Sequence, residues 1–193
     1  MRKVLKLNRG WIPVDTCDPE NAFKLLVKGN ALALDDDLVQ YTFDEWIVNK
    51  CKNTTSIDEN MNTVSLEIPL MPIIVLKYYE KLNRVTVSPT KENIWKRDGM
   101  QCGYCLKTLN LNEVTRDHIH PKSKDGDNDW TNIISSCSQC NTKKADIELR
   151  HLPEMELKLR ATRPNPTSVL YRMKPDEVQN MPEIWKKFFV EFK

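Results

Sequence analysis

The chain has 193 residues, with 29 Lys and Arg against 27 Asp and Glu and a formal net charge of +2. This near balance excludes attraction of nucleic acid by the field of the whole molecule, so any contact with DNA must depend on local clusters of basic residues. A hydrophobic fraction of 40% and a charged fraction of 29% are typical of a soluble globular protein. The most apolar run, residues 68–76, is too short to span a membrane, and we expect no targeting segment.

The N-terminal third is predicted to be a small α+β unit. Residues 5–8 alternate apolar and polar side chains, as a half-buried strand does. Asp18-Pro19-Glu20 has the residues that begin a helix, and Gly29 is a suitable stop. Residues 31–34 are predicted to form a strand. The following run of three aspartates, 35–37, is interpreted as a solvated turn, because adjacent carboxylates point in different directions and rarely converge on one cation.

A short helix is predicted in the middle of the chain. Thr90 is a suitable N-cap, and Asp98-Gly99 is a suitable stop about two turns later. Two pairs of cysteines follow this helix, Cys102-Gly-Tyr-Cys105 and Cys137-Ser-Gln-Cys140. Two Cys-x-x-Cys pairs separated by a few tens of residues have the spacing of a four-cysteine structural zinc site. Cys17 and Cys51 have no neighbouring cysteine and are interpreted as ordinary thiols.

The segment between and after the cysteine pairs contains further motifs. It reads Glu113-Val-Thr-Arg-Asp-His-Ile-His-Pro, then Trp130-Thr-Asn-Ile-Ile, and after the second pair Asn141-Thr-Lys-Lys. In order and spacing this segment resembles the HNH endonuclease family. The resemblance implies a ββα-metal fold, with a first strand over 113–118, a return through 130–135 toward the second strand, and a final helix over 141–150. Residues 122–129 are polar and rich in turn formers, so they are predicted to be a loop.

The resemblance also implies roles for individual residues. Asp117 and Asn141 correspond to the ligands of a catalytic divalent cation, His118 to the general base, and Asn132 to a residue that orients a loop by hydrogen bonds. Carboxylate and amide oxygens suit a hard cation, so we expect Mg²⁺ or Mn²⁺. Histidine can be neutral near physiological pH and can accept a proton from water. Taken singly, each residue has a structural alternative; Asn141, for example, is also suited to cap the final helix.

Basic residues flank these positions, and as a group they are predicted to contact the phosphates of nucleic acid. Such contacts position a substrate without reading its sequence. The alternative is a solvated charged face. The residues are Arg116, Lys122, Lys124, Lys143 and Lys144. The role of His120 is left open between a phosphate contact and none, and His151 is expected at the surface.

Three segments are predicted: the N-terminal unit over 1–83, the HNH nuclease domain over 84–150, and a proline-rich C-terminal arm over 151–193. The arm is expected to be extended and to end in a short amphipathic helix, in which Ile184, Trp185, Phe188 and Phe189 dock on the protein. The fold class is therefore α+β, with a ββα-metal core and a four-cysteine zinc site.

The sequence thus predicts a metal-dependent DNA endonuclease that hydrolyses phosphodiester bonds, by nicking or by double-strand cleavage. It would hold structural Zn²⁺ and catalytic Mg²⁺ or Mn²⁺ and would have DNA as its partner. We expect it in the cytoplasm of a bacterial cell or of a phage-infected host. The alternative is a zinc-stapled protein without cleavage activity that binds nucleic acid or serves in phage assembly.

Overall fold

The computed structural model describes residues 3–50, 60–62, 67–82, 86–165 and 167–189. The chain divides into two compact units, one made of residues 1–83 with 182–188, and the other of residues 84–181 with 189–193. The predicted C-terminal segment, 151–193, is therefore shared between the two units. Cys51 and the predicted boundary between residues 83 and 84 lie outside the described residues.

The first unit is built on a five-stranded sheet in the order β2-β1-β7-β3-β4. Its strands are β1 (Val4–Leu7), β2 (Pro13–Cys17), β3 (Ala31–Leu34), β4 (Gln40–Tyr41) and β7 (Ile73–Leu76). β1 pairs in parallel with β7, and the other neighbours are antiparallel. A separate antiparallel pair is formed by β5 (Asn60–Asn62) and β6 (Glu67–Pro69).

Two helices, α1 (Pro19–Val27) and α2 (Phe43–Lys50), contribute to the core of this unit. α1 begins at Asp18 and is followed by Gly29 at a φ of +68°, as predicted. The Asp18 side chain does not cap the helix, however, and instead accepts a hydrogen bond from Lys3 at 2.8 Å. The core contains large apolar side chains of the helices and the sheet, among them Leu26, Trp46 and Ile74.

The three consecutive aspartates are only partly a solvated turn. Asp36 and Asp37 are exposed, but Asp35 is buried, with 6% of its surface accessible. One carboxylate oxygen accepts hydrogen bonds from the backbone N–H groups of Asp37 and Val39, and the other accepts from Tyr41 and Lys50. This aspartate organises the turn between β3 and β4, and its four internal donors satisfy the carboxylate without a metal ion.

The second unit begins with α3 (Lys91–Arg97), which the sequence predicted correctly at both ends. The Thr90 hydroxyl accepts a hydrogen bond from the backbone N–H of Asn93 at 3.2 Å, and Gly99 follows the helix at a φ of +62°. A buried ion pair joins Arg97 and Asp98 at 2.7 Å. The guanidinium also donates to the Ile133 carbonyl, while the Asp98 carboxylate accepts from the Ser135 backbone, each at 2.7 Å. The end of α3 therefore fixes the strand that contains Ile133 and Ser135.

That strand belongs to a two-stranded antiparallel sheet made of β8 (Thr115–His118) and β9 (Ile133–Ser136). α4 (Ser138–Lys144) follows β9 directly, which completes a strand–strand–helix unit. The chain then forms short turns and α5 (Pro175–Gln179) in the second unit. Finally α6 (Glu183–Lys186) returns to the first unit, where Trp185 donates to the Pro72 carbonyl at 2.9 Å.

The final helix of the strand–strand–helix unit differs from the predicted range of 141–150. It begins at Cys137, whose sulfur accepts a hydrogen bond from the Cys140 backbone N–H, so Asn141 lies inside the helix and is not its cap. It ends before Ala145, which adopts a φ of +46° that helical backbone does not allow. Leu149–His151 forms a separate 3₁₀ turn.

Candidate functional site

The four cysteines of the two pairs converge in the second unit. Their sulfur atoms all lie within 4.8 Å of one another, and Cys105 and Cys137 Sγ are 4.0 Å apart. A tetrahedral zinc ion about 2.3 Å from each sulfur requires the sulfurs to be about 3.8 Å apart. The four cysteines are therefore positioned to bind a zinc ion.

The thiols of this cluster differ in how readily they ionise without a metal. Burial opposes ionisation of Cys102, but backbone N–H groups of Cys105, Cys137 and Tyr104 lower its pKa to about 7. Burial raises the pKa of Cys105 and of Cys140. Zinc binds cysteine as thiolate, and a cation at the centre of the cluster supplies the charge that stabilises several thiolates together.

The first cysteine pair is bound closely to β9. The Gly103 backbone N–H donates to the Ser135 carbonyl at 2.7 Å. A Cβ atom at position 103 would lie 2.4 Å from Cδ1 of Ile134, so only glycine allows this approach. The zinc-binding turn and the strand–strand–helix unit therefore form one piece of structure.

Asp117 lies near the end of β8 with its side chain buried, at 5% accessible surface. The Tyr104 hydroxyl donates a hydrogen bond to Oδ2, and the ammonium of Lys144 lies 3.5 Å from Oδ1. Burial raises the pKa of the Asp117 carboxyl, and the hydrogen bond from Tyr104 and the charge of Lys144 oppose that rise only in part. The site thus contains a desolvated carboxylate that a cation would stabilise.

His118 follows Asp117 on β8, so the two side chains point to opposite faces of the strand. The His118 ring is half-buried, and its Nε2 lies 2.9 Å from Oδ1 of Asn128. The opposite ring nitrogen, Nδ1, makes no hydrogen bond to any residue of the described ranges. One nitrogen is therefore held in place while the other is available to a water molecule or a substrate.

Asn132 orients the loop between β8 and β9. Its Oδ1 accepts a hydrogen bond from the His120 backbone N–H at 2.8 Å, and its Nδ2 donates to the Asp127 carbonyl at 2.9 Å. The His120 ring lies 2.7 Å from the Lys124 carbonyl, through Nε2, and so also takes part in this loop. These contacts fit the loop-orienting role that the family resemblance implied for Asn132.

Asn141 lies on α4, directly after Cys140, and its side chain is half-buried. In the part of the chain that the structure describes, the side-chain amide of Asn141 makes no hydrogen bond, so its Oδ1 is available to a ligand. α4 packs against β8, which contains Asp117. The two oxygen donors that the sequence assigned to one cation therefore lie on neighbouring elements.

The basic residues predicted to contact phosphates differ in their exposure to solvent. Arg116, Lys122, Lys124 and Lys143 are exposed. Lys144 is fully buried, and its ammonium donates to the His118 carbonyl at 2.6 Å and lies beside Asp117. It cannot reach a phosphate at the surface, so the prediction that Lys144 contacts phosphate is wrong.

Two residues of this site were not identified from the sequence. Tyr104 was considered only as part of the first cysteine pair, and Asn128 only as part of the loop predicted over residues 122–129. No pattern in the sequence marks either, because both contacts depend on how the loop and the cysteine pair fold around β8.

Comparison with known proteins assigns the class of this site. Residues 102–146 match the family model described as HNH endonuclease. This match confirms the resemblance, and the four-cysteine cluster within a mixed α+β fold is consistent with the ββα-metal architecture. Residues 102–146 are thus similar to an HNH endonuclease domain, and they include the four cysteines positioned to bind a zinc ion. No curated protein and no solved structure matches the chain. Among the described residues, no helix is both long and apolar enough to cross a membrane.

Proposed function

We propose that this protein is a divalent-metal-dependent DNA endonuclease that hydrolyses phosphodiester bonds, by nicking or by double-strand cleavage. The observation that supports this function is the adjacency of Asp117 and His118 on β8, within a segment that matches the HNH endonuclease model. A module that only binds nucleic acid needs neither a desolvated carboxylate nor a histidine with a free ring nitrogen.

His118 acts as the general base in this proposal. Its Nδ1 accepts a proton from the water molecule that attacks phosphorus, as the new P–O bond forms and the bond to the 3′-oxygen breaks. The contact between Nε2 and Asn128 holds the ring in the tautomer whose Nδ1 lone pair is free. Asn132 keeps the loop that contains Asn128 in position.

Asp117 and Asn141 would hold the catalytic cation. Both offer oxygen atoms, which fits Mg²⁺ or Mn²⁺ better than a thiophilic metal. Among the residues that the structure describes, none donates a hydrogen bond to the side-chain oxygen of Asn141, and a positive charge would stabilise the buried Asp117 carboxylate. When bound, such a cation supplies Lewis-acid stabilisation of the charge that develops on the phosphate oxygens.

The exposed basic residues would hold the DNA backbone. Arg116, Lys122, Lys124 and Lys143 belong to this group, and Lys144 is left out because it is buried. Two of these lysines pair with glutamates, Lys124 with the half-buried Glu148 at 3.7 Å and Lys143 with the exposed Glu154 at 3.6 Å. An exposed pair such as Lys143–Glu154 contributes little to stability and can exchange for a phosphate contact.

The test is the conversion of supercoiled plasmid by the zinc-loaded full chain with added Mg²⁺ or Mn²⁺. We expect nicked or linear products from the wild type and a rate lower by about 10²- to 10⁴-fold for His118→Ala, since loss of a general base typically has this effect. His151→Ala is the matched control, because His151 lies in the 3₁₀ turn outside β8 and the loop. Cleavage by His118→Ala at the wild-type rate would exclude His118 as the base.

The same experiment distinguishes the alternative. DNA binding by the wild type without any product in either metal would favour a zinc-stapled binding or phage assembly protein. The cytoplasm of a bacterial cell or of a phage-infected host would supply the DNA substrate, and this location stays a prediction.

A further inference from the structure

Asp117 contacts one side chain from within the first cysteine pair and one that follows the second pair on α4. Tyr104 stands between Cys102 and Cys105, and its hydroxyl donates to Oδ2. Lys144 lies one helical turn after Cys140 on α4, and its ammonium is 3.5 Å from Oδ1. The two oxygens of the carboxylate are therefore held by side chains from the two halves of the zinc site.

Tyr104 has a fixed position relative to β8 and β9. The neighbouring Gly103 donates to the Ser135 carbonyl of β9 at 2.7 Å and accepts from the Lys158 backbone N–H at 2.8 Å. The ring itself is buried, with 4% of its surface accessible. A backbone bound on both sides and a buried ring leave the hydroxyl little freedom to move away from Asp117.

The contact between Tyr104 and Asp117 has a defined direction. The phenol hydroxyl donates to Oδ2, because a carboxylate oxygen can only accept. Donors of this kind orient a carboxylate ligand and determine which of its lone pairs faces the metal.

We propose that Tyr104 is a positioning residue that orients Asp117 toward the catalytic cation, so that the structural zinc site supports the catalytic metal site. This inference rests on the proposed function, in which Asp117 is a ligand of that cation. Tyr104 would then do more than separate Cys102 from Cys105. Its hydrogen bond to Asp117 would connect the zinc site to the catalytic metal site.

The first unit contains a matched arrangement with a different use. The Tyr41 hydroxyl donates to Oδ2 of the buried Asp35 at 3.0 Å, and Lys50 donates to the same oxygen at 2.8 Å. The other oxygen of Asp35 accepts two backbone N–H groups, so four donors surround this carboxylate, whereas Asp117 has two. Tyr41→Phe therefore removes the same hydroxyl from the same kind of contact, at a carboxylate that serves a turn.

The experiment measures Mn²⁺ affinity directly, from the free Mn²⁺ signal in electron paramagnetic resonance, on zinc-loaded full chain. We expect Tyr104→Phe to bind Mn²⁺ about 10- to 100-fold more weakly than the wild type, because loss of a partner that orients a metal ligand has an effect of this size. The variant should keep its zinc and its DNA affinity, and Tyr41→Phe should bind Mn²⁺ like the wild type. In plasmid cleavage, Tyr104→Phe should need more Mn²⁺ and approach the wild-type rate at saturation.

Unchanged Mn²⁺ affinity in Tyr104→Phe would overturn the inference, and so would loss of zinc from this variant, since the hydroxyl would then serve the zinc site. A wild type that binds no Mn²⁺ would overturn it as well. Weaker Mn²⁺ binding by Tyr104→Phe, together with no cleavage of DNA by the wild type, would support the inference and reject the proposed nuclease activity.

Discussion

Asp117 is the residue whose surroundings are hardest to explain by folding alone. Burial raises the pKa of its carboxyl, so ionisation of this side chain opposes the stability of the fold. The Tyr104 hydroxyl and the Lys144 ammonium offset only part of this cost. Carboxyl groups with a raised pKa and specific partners occur often at functional sites, and a bound cation would stabilise the charged form of Asp117.

Asn141→His tests whether the amide contacts the catalytic cation. Imidazole suits Mn²⁺, Co²⁺ and Ni²⁺ better than Mg²⁺, so we expect the variant to retain partial activity and to shift its preference toward transition metals. The measurement is the nicking rate of wild type and variant across a titration of each metal. Thr142→His places an imidazole on the neighbouring exposed position of α4 and serves as the control. An unchanged ranking of metals in Asn141→His would show that Asn141 does not touch the ion.

Single residues of the site differ in how far the sequence predicted them. Thr90 was predicted as a cap from its residue type and position alone, because capping depends only on neighbours in the chain. Asn132 was assigned a loop-orienting role from the family pattern, and its contacts agree with that role. Tyr104 and Lys144 were not predicted as partners of Asp117, because these contacts exist only after the two cysteine pairs fold against β8.

Among the elements, α4 shows most clearly where sequence patterns fail. The sequence predicted its start at Asn141, because cysteine is not among the usual capping residues. In the structure the Cys137 sulfur takes the place of a capping oxygen, so the zinc-binding turn and the start of the helix coincide. The helix ends at Ala145, where a positive φ occurs without glycine and therefore without a recognisable stop signal.

The loop between β8 and β9 depends on Gly126. A Cβ atom at this position would lie 2.0 Å from the His120 carbonyl oxygen, so the backbone would have to shift to remove the clash. The same loop contains Asn128, which contacts His118, and Asp127, which Asn132 holds. The geometry of His118, the proposed general base, is therefore coupled to the absence of a side chain at Gly126.

We expect Gly126→Ala to slow plasmid cleavage and to destabilise the fold by about 1–3 kcal/mol, the usual cost of overpacking. In a chain of this size each kcal/mol lowers the Tm by about 2–4 °C, which thermal unfolding can measure. Gly10→Ala is the control, since a Cβ there would meet its nearest atom at an ordinary 3.5 Å. Full activity and an unchanged Tm in Gly126→Ala would mean that the loop has no part in positioning His118.

At the scale of the whole molecule, the sequence predicted that the chain has separate parts but not how they are composed. The amphipathic pattern of residues 182–189 predicted a short helix with Ile184, Trp185, Phe188 and Phe189 docked on the protein. The helix ends at Lys186, and of these four residues only Phe188 is not fully buried. The helix joins the first unit through the bond between Trp185 and the Pro72 carbonyl. Periodicity identifies the apolar face of a helix but carries no information on which surface will receive it.

The stability of the whole molecule should depend on bound zinc. The four cysteines form a closed set of four ligands with no open position, so we expect one tightly bound zinc ion per chain with a structural role separate from catalysis. Native mass spectrometry should find this ion in gently purified protein. Cys137→Ser should lose it and should unfold at a markedly lower temperature, because the free energy of zinc binding is also free energy of folding.

Cys17→Ser, which changes a cysteine of β2 outside the cluster, should keep the ion. Since Cys137 also caps α4 and Gly103 binds β9, loss of the ion should release both halves of the support around Asp117. Protein purified without chelators that contains no zinc, or a Cys137→Ser variant as stable as the wild type, would contradict the structural role of the cluster.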